Sequence, residues 1–166
     1  MLFRSGAAIC GAVVVLAISV SVGRSEVGSV HSSAVVNAAS GDAIVGAAST
    51  YNPFRPGYRE GGAATASGER YGSSAWAAAI QINLRETFGG VRHGRSPSYA
   101  LVEGMNKQVI VKINDVGPLK PGRIIDFNER TMRYFDPTLQ LGLIRNVRVT
   151  PLHGKDWIPG PVAEGV

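Results

Sequence analysis

Cysteine is almost absent from this chain: there is one among 166 residues, Cys10, inside the first apolar run. A chain shortened past that run holds none, which excludes disulfide staples, a thiol nucleophile and cysteine-ligated zinc together. Histidine is scarce as well, with three residues that nowhere stand at metal-ligand spacing, so neither a metal nor any other cofactor is expected. Charge is sparse at 17%, but a hydrophobic share of 45% is too high for a disordered chain. Long helical stretches are missing because 21 Gly and 9 Pro interrupt them, which removes a coiled coil. No basic cluster with interleaved aromatics occurs, so nucleic acid is not an expected partner. No Asp-Thr-Gly or Asp-Ser-Gly triplet occurs either, which argues against an aspartic protease, and no internal repeat is visible.

What is present begins with an export pattern. Arg4 is the only charge before Arg24, and Gly6 to Val22 is a run of apolar and small residues ending in Ser21-Val22-Gly23. This is the layout of a signal peptide over residues 1–23, cut after Gly23. The competing reading is an uncleaved anchor, since the run approaches the roughly 18 residues of a spanning helix, and only then is the membrane a partner. Cys10 follows bulky Ile9 and precedes the apolar segment, the wrong order for a lipoprotein anchor. The expected location is outside the cytoplasm, in the periplasm or cell envelope.

Residues 24–45, rich in Ser, Val, Ala and Gly, read as a flexible linker, although "AIVGAAS" can already open a first strand. Residues 46–152 form the expected domain, and 153–166, broken by Gly154, Pro159, Gly160 and Pro161, an irregular tail with Trp157 unassigned. The domain carries 14 Lys and Arg against 8 Asp and Glu, a surplus of six that suits an anionic polymer. "SYALVEG" and "QVIVKIND" alternate or run β-branched around Gly104 to Lys107 and predict a hairpin. "GRIIDF" and "NVRVTPL" predict two more strands, and "AASTY" and "SAWAAAI" are weaker candidates, with Trp76 expected in the core. One helix is predicted after Asn128 as its cap, with Glu129 in the first turn, Met132 and Phe135 on the apolar face and Pro137 as its stop. Many short strands, abundant Gly and one short helix predict a mainly β fold, a small barrel.

Two segments carry the candidate chemistry. Thr65-Ala66-Ser67-Gly68-Glu69-Arg70-Tyr71 presents a carboxylate between a flexible Gly and an aromatic residue. Ile113-Asn114-Asp115-Val116-Gly117-Pro118 delivers Asn and Asp at the end of a hydrophobic strand, just before a Gly-Pro turn. A carboxylate held there by backbone is placed as a general acid or base must be. Two readings stay open for Asp115, an acid/base group or a cap on its own turn. Glu69, from sequence alone, reads first as a solvated loop carboxylate.

These segments resemble the rare lipoprotein A family of bacterial cell-wall proteins. The resemblance runs through Ala48 to Tyr51, "TASGERY", Val111 to Pro118, Gly122 to Asp126 and Val147 to Val149, about 105 residues, with "KINDVGP" and "GRIIDFN" the most specific part. It implies a six-stranded double-psi β-barrel and lytic transglycosylation of peptidoglycan. In that reaction the bond between N-acetylmuramic acid and N-acetylglucosamine breaks and the muramyl C6 hydroxyl closes a 1,6-anhydro ring. The nucleophile belongs to the substrate, so one acid/base group suffices where ordinary glycosidases need two carboxylates. Asp115 matches the family's catalytic Asp and Glu69 its second active-site acid, which can steady oxocarbenium-like charge. Tyr51, Tyr71 and Asn114 are the expected substrate-binding residues, with the tyrosines stacking on sugar faces.

One position departs from the family pattern. The His that commonly stands eleven residues after the Glu is replaced by Ile80, which neither hydrogen-bonds a sugar nor tunes a carboxylate. Gln81 is expected on the opposite side of that strand from Ile80. The following segment is longer than usual by about nine residues, with "VRHGRSPS" as the extra loop, whose His93 reads first as merely solvated. Arg123 is expected to pair with Asp126 or Asp115. Two functions therefore compete, an exported lytic transglycosylase using Asp115 and Glu69, and an expansin-like barrel that binds or loosens wall glycan without cutting it. In either case the expected partner is a peptidoglycan glycan strand and the expected state a monomer.

Overall fold

The computed structural model describes residues 42–57 and 62–162. The expected signal peptide with Cys10, the linker up to residue 41 and the tail from residue 163 lie outside the described residues.

Among the described residues seven strands and one α-helix follow in chain order: β1 Ile44–Thr50, β2 Ala77–Gln81, β3 Ser98–Gly104, β4 Lys107–Gly117, β5 Arg123–Phe127, α1 Glu129–Phe135, β6 Leu143–Leu152 and β7 Gly160–Pro161. A 3-10 turn, Ile82–Leu84, follows β2. Pairing runs β2-β5-β1-β6-β3-β4, and an added β2–β4 pairing joins the two ends, so six strands close into a barrel. Closure leaves no free long edge to pair with another chain. The pairs β1–β5 and β2–β4 are parallel and the other barrel pairs antiparallel. This is the mainly β small barrel with one short helix that the sequence predicts, with the six strands that the resemblance implies.

Period-2 alternation decides what fills it. Val109, Val111 and Ile113 of β4, Ile125 and Phe127 of β5, and Ile80 of β2 point inward and are almost wholly buried. Each large apolar side chain sealed this way contributes about 1.5–3 kcal/mol by transfer. The hairpin forms as expected, with Gly104 paired to Lys107 and only Met105 and Asn106, at φ 49° and 58°, between them. Two positive φ values in a two-residue loop make the turn whose twist matches its strands.

Helix α1 buries Met132 and Phe135 as predicted, with Glu129 in its first turn paired to Arg133 one turn on. Asn128 departs from expectation. It occupies the cap position, but its side chain makes no cap bond; its Nδ2 donates to the Gly72 carbonyl at 2.8 Å, and its Oδ1 is buried without a partner among the described residues. The first strand opens at Ile44, ahead of residue 46, since Ile44 and Val45 pair with Val149 and Arg148 of β6.

The tail also departs from irregularity. Gly160–Pro161 pairs with Ile110 and Val109, and Val162 packs with Tyr99, Leu101, Ile110 and Leu152, with Trp157 against them. The outer face of β3 and β4 is apolar at these positions and needs a cover. Proline is tolerated in β7 because that strand lies at an edge, where its missing N–H bonds nothing.

Candidate functional site

The site lies on the outer face of the barrel wall, and a β-bulge makes it. Strict alternation along β4 sends Val109, Val111 and Ile113 inward, and the next inward position is Asp115. Instead the register against β2 slips between Ala78, opposite Ile113, and Ala79, opposite Asp115. Asn114 is the extra residue, and Asp115 is returned to the outer face with Ala79, the re-aiming for which bulges are used. Asp126 also stands opposite Ala79, and opposite Ser49 on its other side. Ser49, Asp126, Ala79 and Asp115 therefore form one row across four neighbouring strands. Strand spacing puts the two aspartate Cα atoms roughly 10 Å apart, with a methyl group between them.

Asp115 is held on both oxygens. Its Oδ1 accepts the backbone N–H groups of Ala66 and Val116, each at 2.9 Å, and its Oδ2 accepts the Tyr51 hydroxyl at 3.2 Å. The Val116 bond is local, in the manner of a turn cap. The Ala66 bond spans 49 residues of sequence and docks the "TASGERY" loop onto β4, so a capping role alone does not describe this carboxylate. Asp126 accepts the Ser49 hydroxyl.

Glu69 is placed by the same loop. Thr65 and Glu69 bond across the turn, Ser67 donates its N–H to the Asn114 carbonyl at 3.0 Å, and Gly68, at φ 88°, takes the left-handed turn position glycine favours. Its carboxylate pairs with the Lys112 ammonium and accepts Asn114 Nδ2 at 3.2 Å. Burial alone pushes this carboxyl up, but the Lys112 and Asn114 hydrogen bonds and the Lys112 charge outweigh it and hold it below the usual carboxylate range. Glu69 is thus an anchored anion, not a free loop carboxylate. Asn114, expected to bind substrate, is 3% exposed and instead ties Glu69 to β4.

The tyrosines also serve differently from expectation. Tyr51 and Tyr71 are 6% and 4% exposed, meet edge to face at 5.0 Å and cover Ala79, so neither offers an open ring face to a sugar. Tyr71 donates its hydroxyl to the Tyr51 carbonyl at 2.8 Å, and Tyr51 donates to Asp115. Burial, then the Asp115 charge and hydrogen bond, push the Tyr51 phenol far up, so it stays a donor. Burial pushes the Tyr71 phenol up too. The exposed aromatic beside them is Phe54, 54% exposed, edge-on to Tyr71 and under the Arg70 guanidinium. With Thr50, Tyr51, Arg55, Glu129 and Arg133 it lines a hollow of ≈ 390 Å³, to whose wall Asp115 does not contribute.

Sequence reasoning missed Asp126, Lys112 and Phe54. The signal for Asp126 was present, since "KIND" and "RIID" are both apolar strands ending in Asp. Lys112 and Phe54 carried no signal, because their roles depend on a loop distant in sequence. Ile80 is 0% exposed inside the barrel, so its position faces the core and not the cleft. Gln81, on the other face as expected, binds the Leu119 N–H and carbonyl at 3.0 Å and fixes the Gly-Pro turn after β4. Trp76 is only partly buried, packed against the core under Arg130, and Arg123 makes no ion pair among the described residues. Among the described residues no group of three His, Cys, Asp or Glu is arranged to hold a metal ion.

Comparison with known proteins adds to this geometry. No curated protein matches the chain. Among solved structures, a papain inhibitor from Streptomyces superposes with a TM-score of 0.51 at 15% identity, over 68% of this chain and 96% of that one, a likeness of fold. A comparison with protein families matches residues 43–149 to the family described as lytic transglycolase. That match spans the closed barrel from β1 into β6 and holds both aspartates and Glu69, so this chain belongs to the lytic transglycolase family of double-psi β-barrels.

Proposed function

We propose that the chain is an exported peptidoglycan lytic transglycosylase that cleaves the N-acetylmuramic acid–N-acetylglucosamine bond with Asp115 as its acid/base group. The observation that carries this is the bulge at Asn114, which spends a strand register to turn Asp115 out of the core and fasten it between Ala66 and Tyr51. In the reaction, Asp115 in its acid form gives its proton to the glycosidic oxygen as the C1–O bond breaks. The C6 hydroxyl oxygen then bonds to C1 and its proton returns to Asp115, so no water enters. Glu69, held anionic by Lys112, and Asp126, in the same row as Asp115, flank the place where positive charge develops at C1. The reading carries with it cleavage of the 1–23 signal, work in the periplasm or cell envelope, and action as a monomer.

The test is incubation of the purified protein with peptide-free glycan strands and mass spectrometry of the ends released. Wild type is expected to form 1,6-anhydromuramyl ends, and Asp115→Asn to form them about 10²- to 10⁴-fold more slowly, as for loss of an acid/base group. The second reading, a barrel that holds glycan without cutting it, draws on the row Ser49, Asp126, Ala79 and Asp115, where a methyl group and no histidine stands between the two aspartates. Equal and negligible release by wild type and Asp115→Asn, with both still pelleting with the sacculus, favours it.

A further inference from the structure

The segment between β2 and β3 is packed onto the barrel. Phe88 and Val91 are 2% and 3% exposed within the main core, and they pin the loop on either side of Gly89 and Gly90. Two residues beyond Val91 the chain makes a tight turn, closed by the Arg95 N–H on the Arg92 carbonyl at 3.2 Å, with Gly94 at φ 77°. His93 occupies the first central position of that turn, a place defined by backbone.

The imidazole of His93 lies against Gly68. A Cβ placed on Gly68 would stand 2.1 Å from His93 Cδ2 and 3.1 Å from its Nε2, so any side chain at residue 68 would push the ring aside. Gly68 is the residue before Glu69, and the ring's Cδ2–Nε2 edge is the one turned to this loop. Around Glu69 the neighbouring donors are engaged, Lys112 and the Asn114 Nδ2 with Glu69 and the Ser67 N–H with the Asn114 carbonyl, while Asn114 Oδ1 is buried without a partner among the described residues. His93 is exposed, and among the described residues neither ring nitrogen has a hydrogen-bond partner.

We infer that His93 is a substrate contact, placed by Gly68 beside Glu69, with its imidazole hydrogen-bonding the sugar unit seated next to Glu69. The inference rests on the glycan reading of the site. It adds a binding residue carried by a different loop from every group placed above.

The probe is a peptide-free tetrasaccharide of alternating N-acetylglucosamine and N-acetylmuramic acid, titrated by calorimetry and by NMR of the histidine rings in the Asp115→Asn background. His93→Ala is expected to weaken binding by roughly three- to ten-fold, the range for one hydrogen bond. His93→Gln, which keeps a donor and an acceptor, recovers most of that loss, a rescue that packing alone does not produce. Melting temperatures of both variants stay within about 2 °C of the parent, as for surface changes. The His93 ring resonances shift on saturation and those of His153 do not. Equal binding by His93→Ala and its parent, or an unmoved His93 ring at saturation, overturns the inference and leaves the glycan reading standing. No binding by the parent overturns both. A His93 effect on binding in a wild type that releases no anhydro ends supports the contact and removes the lytic step alone.

Discussion

Replacing Ile80 with histidine tests the strand facing on which the site rests. If position 80 looked into the cleft, Ile80→His would add a polar group there at little cost. The structure places it elsewhere: Ile80 is 0% exposed, between Ile125 on β5 and Val116 on β4. The substitution forfeits about 1.5–3 kcal/mol of apolar transfer. It also buries a ring N–H and an acceptor with no partner, adding about 1–3 kcal/mol. The expected loss is therefore about 2.5–6 kcal/mol, a large part of the stability of a domain this size. At about 4–8 °C per kcal/mol, the melting temperature falls by at least ~10 °C. Burial disfavours the imidazolium, so the introduced ring binds its proton more readily unfolded than folded. The loss consequently deepens as pH falls below the ordinary histidine value of about 6.5. Thermal melts by circular dichroism at two pH values measure both effects. A melting temperature within about 3 °C of wild type, with no pH dependence, would falsify the inward assignment of Ile80 and the register derived from it.

Two further expectations concern the groups around the carboxylates. The Glu69 carboxyl sits below its ordinary 4.5, so the stability it contributes is complete above that value and is lost as pH falls through the lower folded value. Lys112→Met leaves burial less opposed, and the Glu69 midpoint read from its side-chain carbon resonance rises; an unmoved midpoint means the pair does not set it. Tyr51→Phe keeps the edge-to-face ring packing but strips Asp115 Oδ2 of its donor, at about 1 kcal/mol of stability. Release of anhydro ends then slows roughly 5- to 30-fold with tetrasaccharide affinity unchanged, and unaltered release removes Tyr51 from a positioning role.

Much of the architecture was legible one strand at a time. The β-branched run Val109–Val111, the alternation in Ser98–Gly104 and the polar tip between them specify a hairpin by local rules, and the tertiary structure had only to accept it. The tail was misjudged for the complementary reason. Gly160 and Pro161 have no strand propensity, and they pair because β4 leaves Val109 and Ile110 open beside them and the apolar outer face needs Trp157 and Val162 as cover. Asn128 likewise satisfies the local rule for a cap, but the fold turns its Nδ2 to the Gly72 carbonyl and leaves the Oδ1 that would cap without a partner among the described residues.

The sequence by itself determined a cysteine-poor, strand-rich barrel and singled out Asp115 and Glu69, because composition, periodicity and motif are properties of neighbouring residues. Only the tertiary structure decided which way those residues face. A one-residue slip in a strand exchanges inside for outside, so the bulge at Asn114 settles whether Asp115 meets solvent or core. Contacts across long sequence separations decided the rest: Lys112 on Glu69, Tyr51 on Asp115, Asp126 in line with Asp115 and His93 on Gly68. No local pattern encodes these, since each exists only once the barrel has closed.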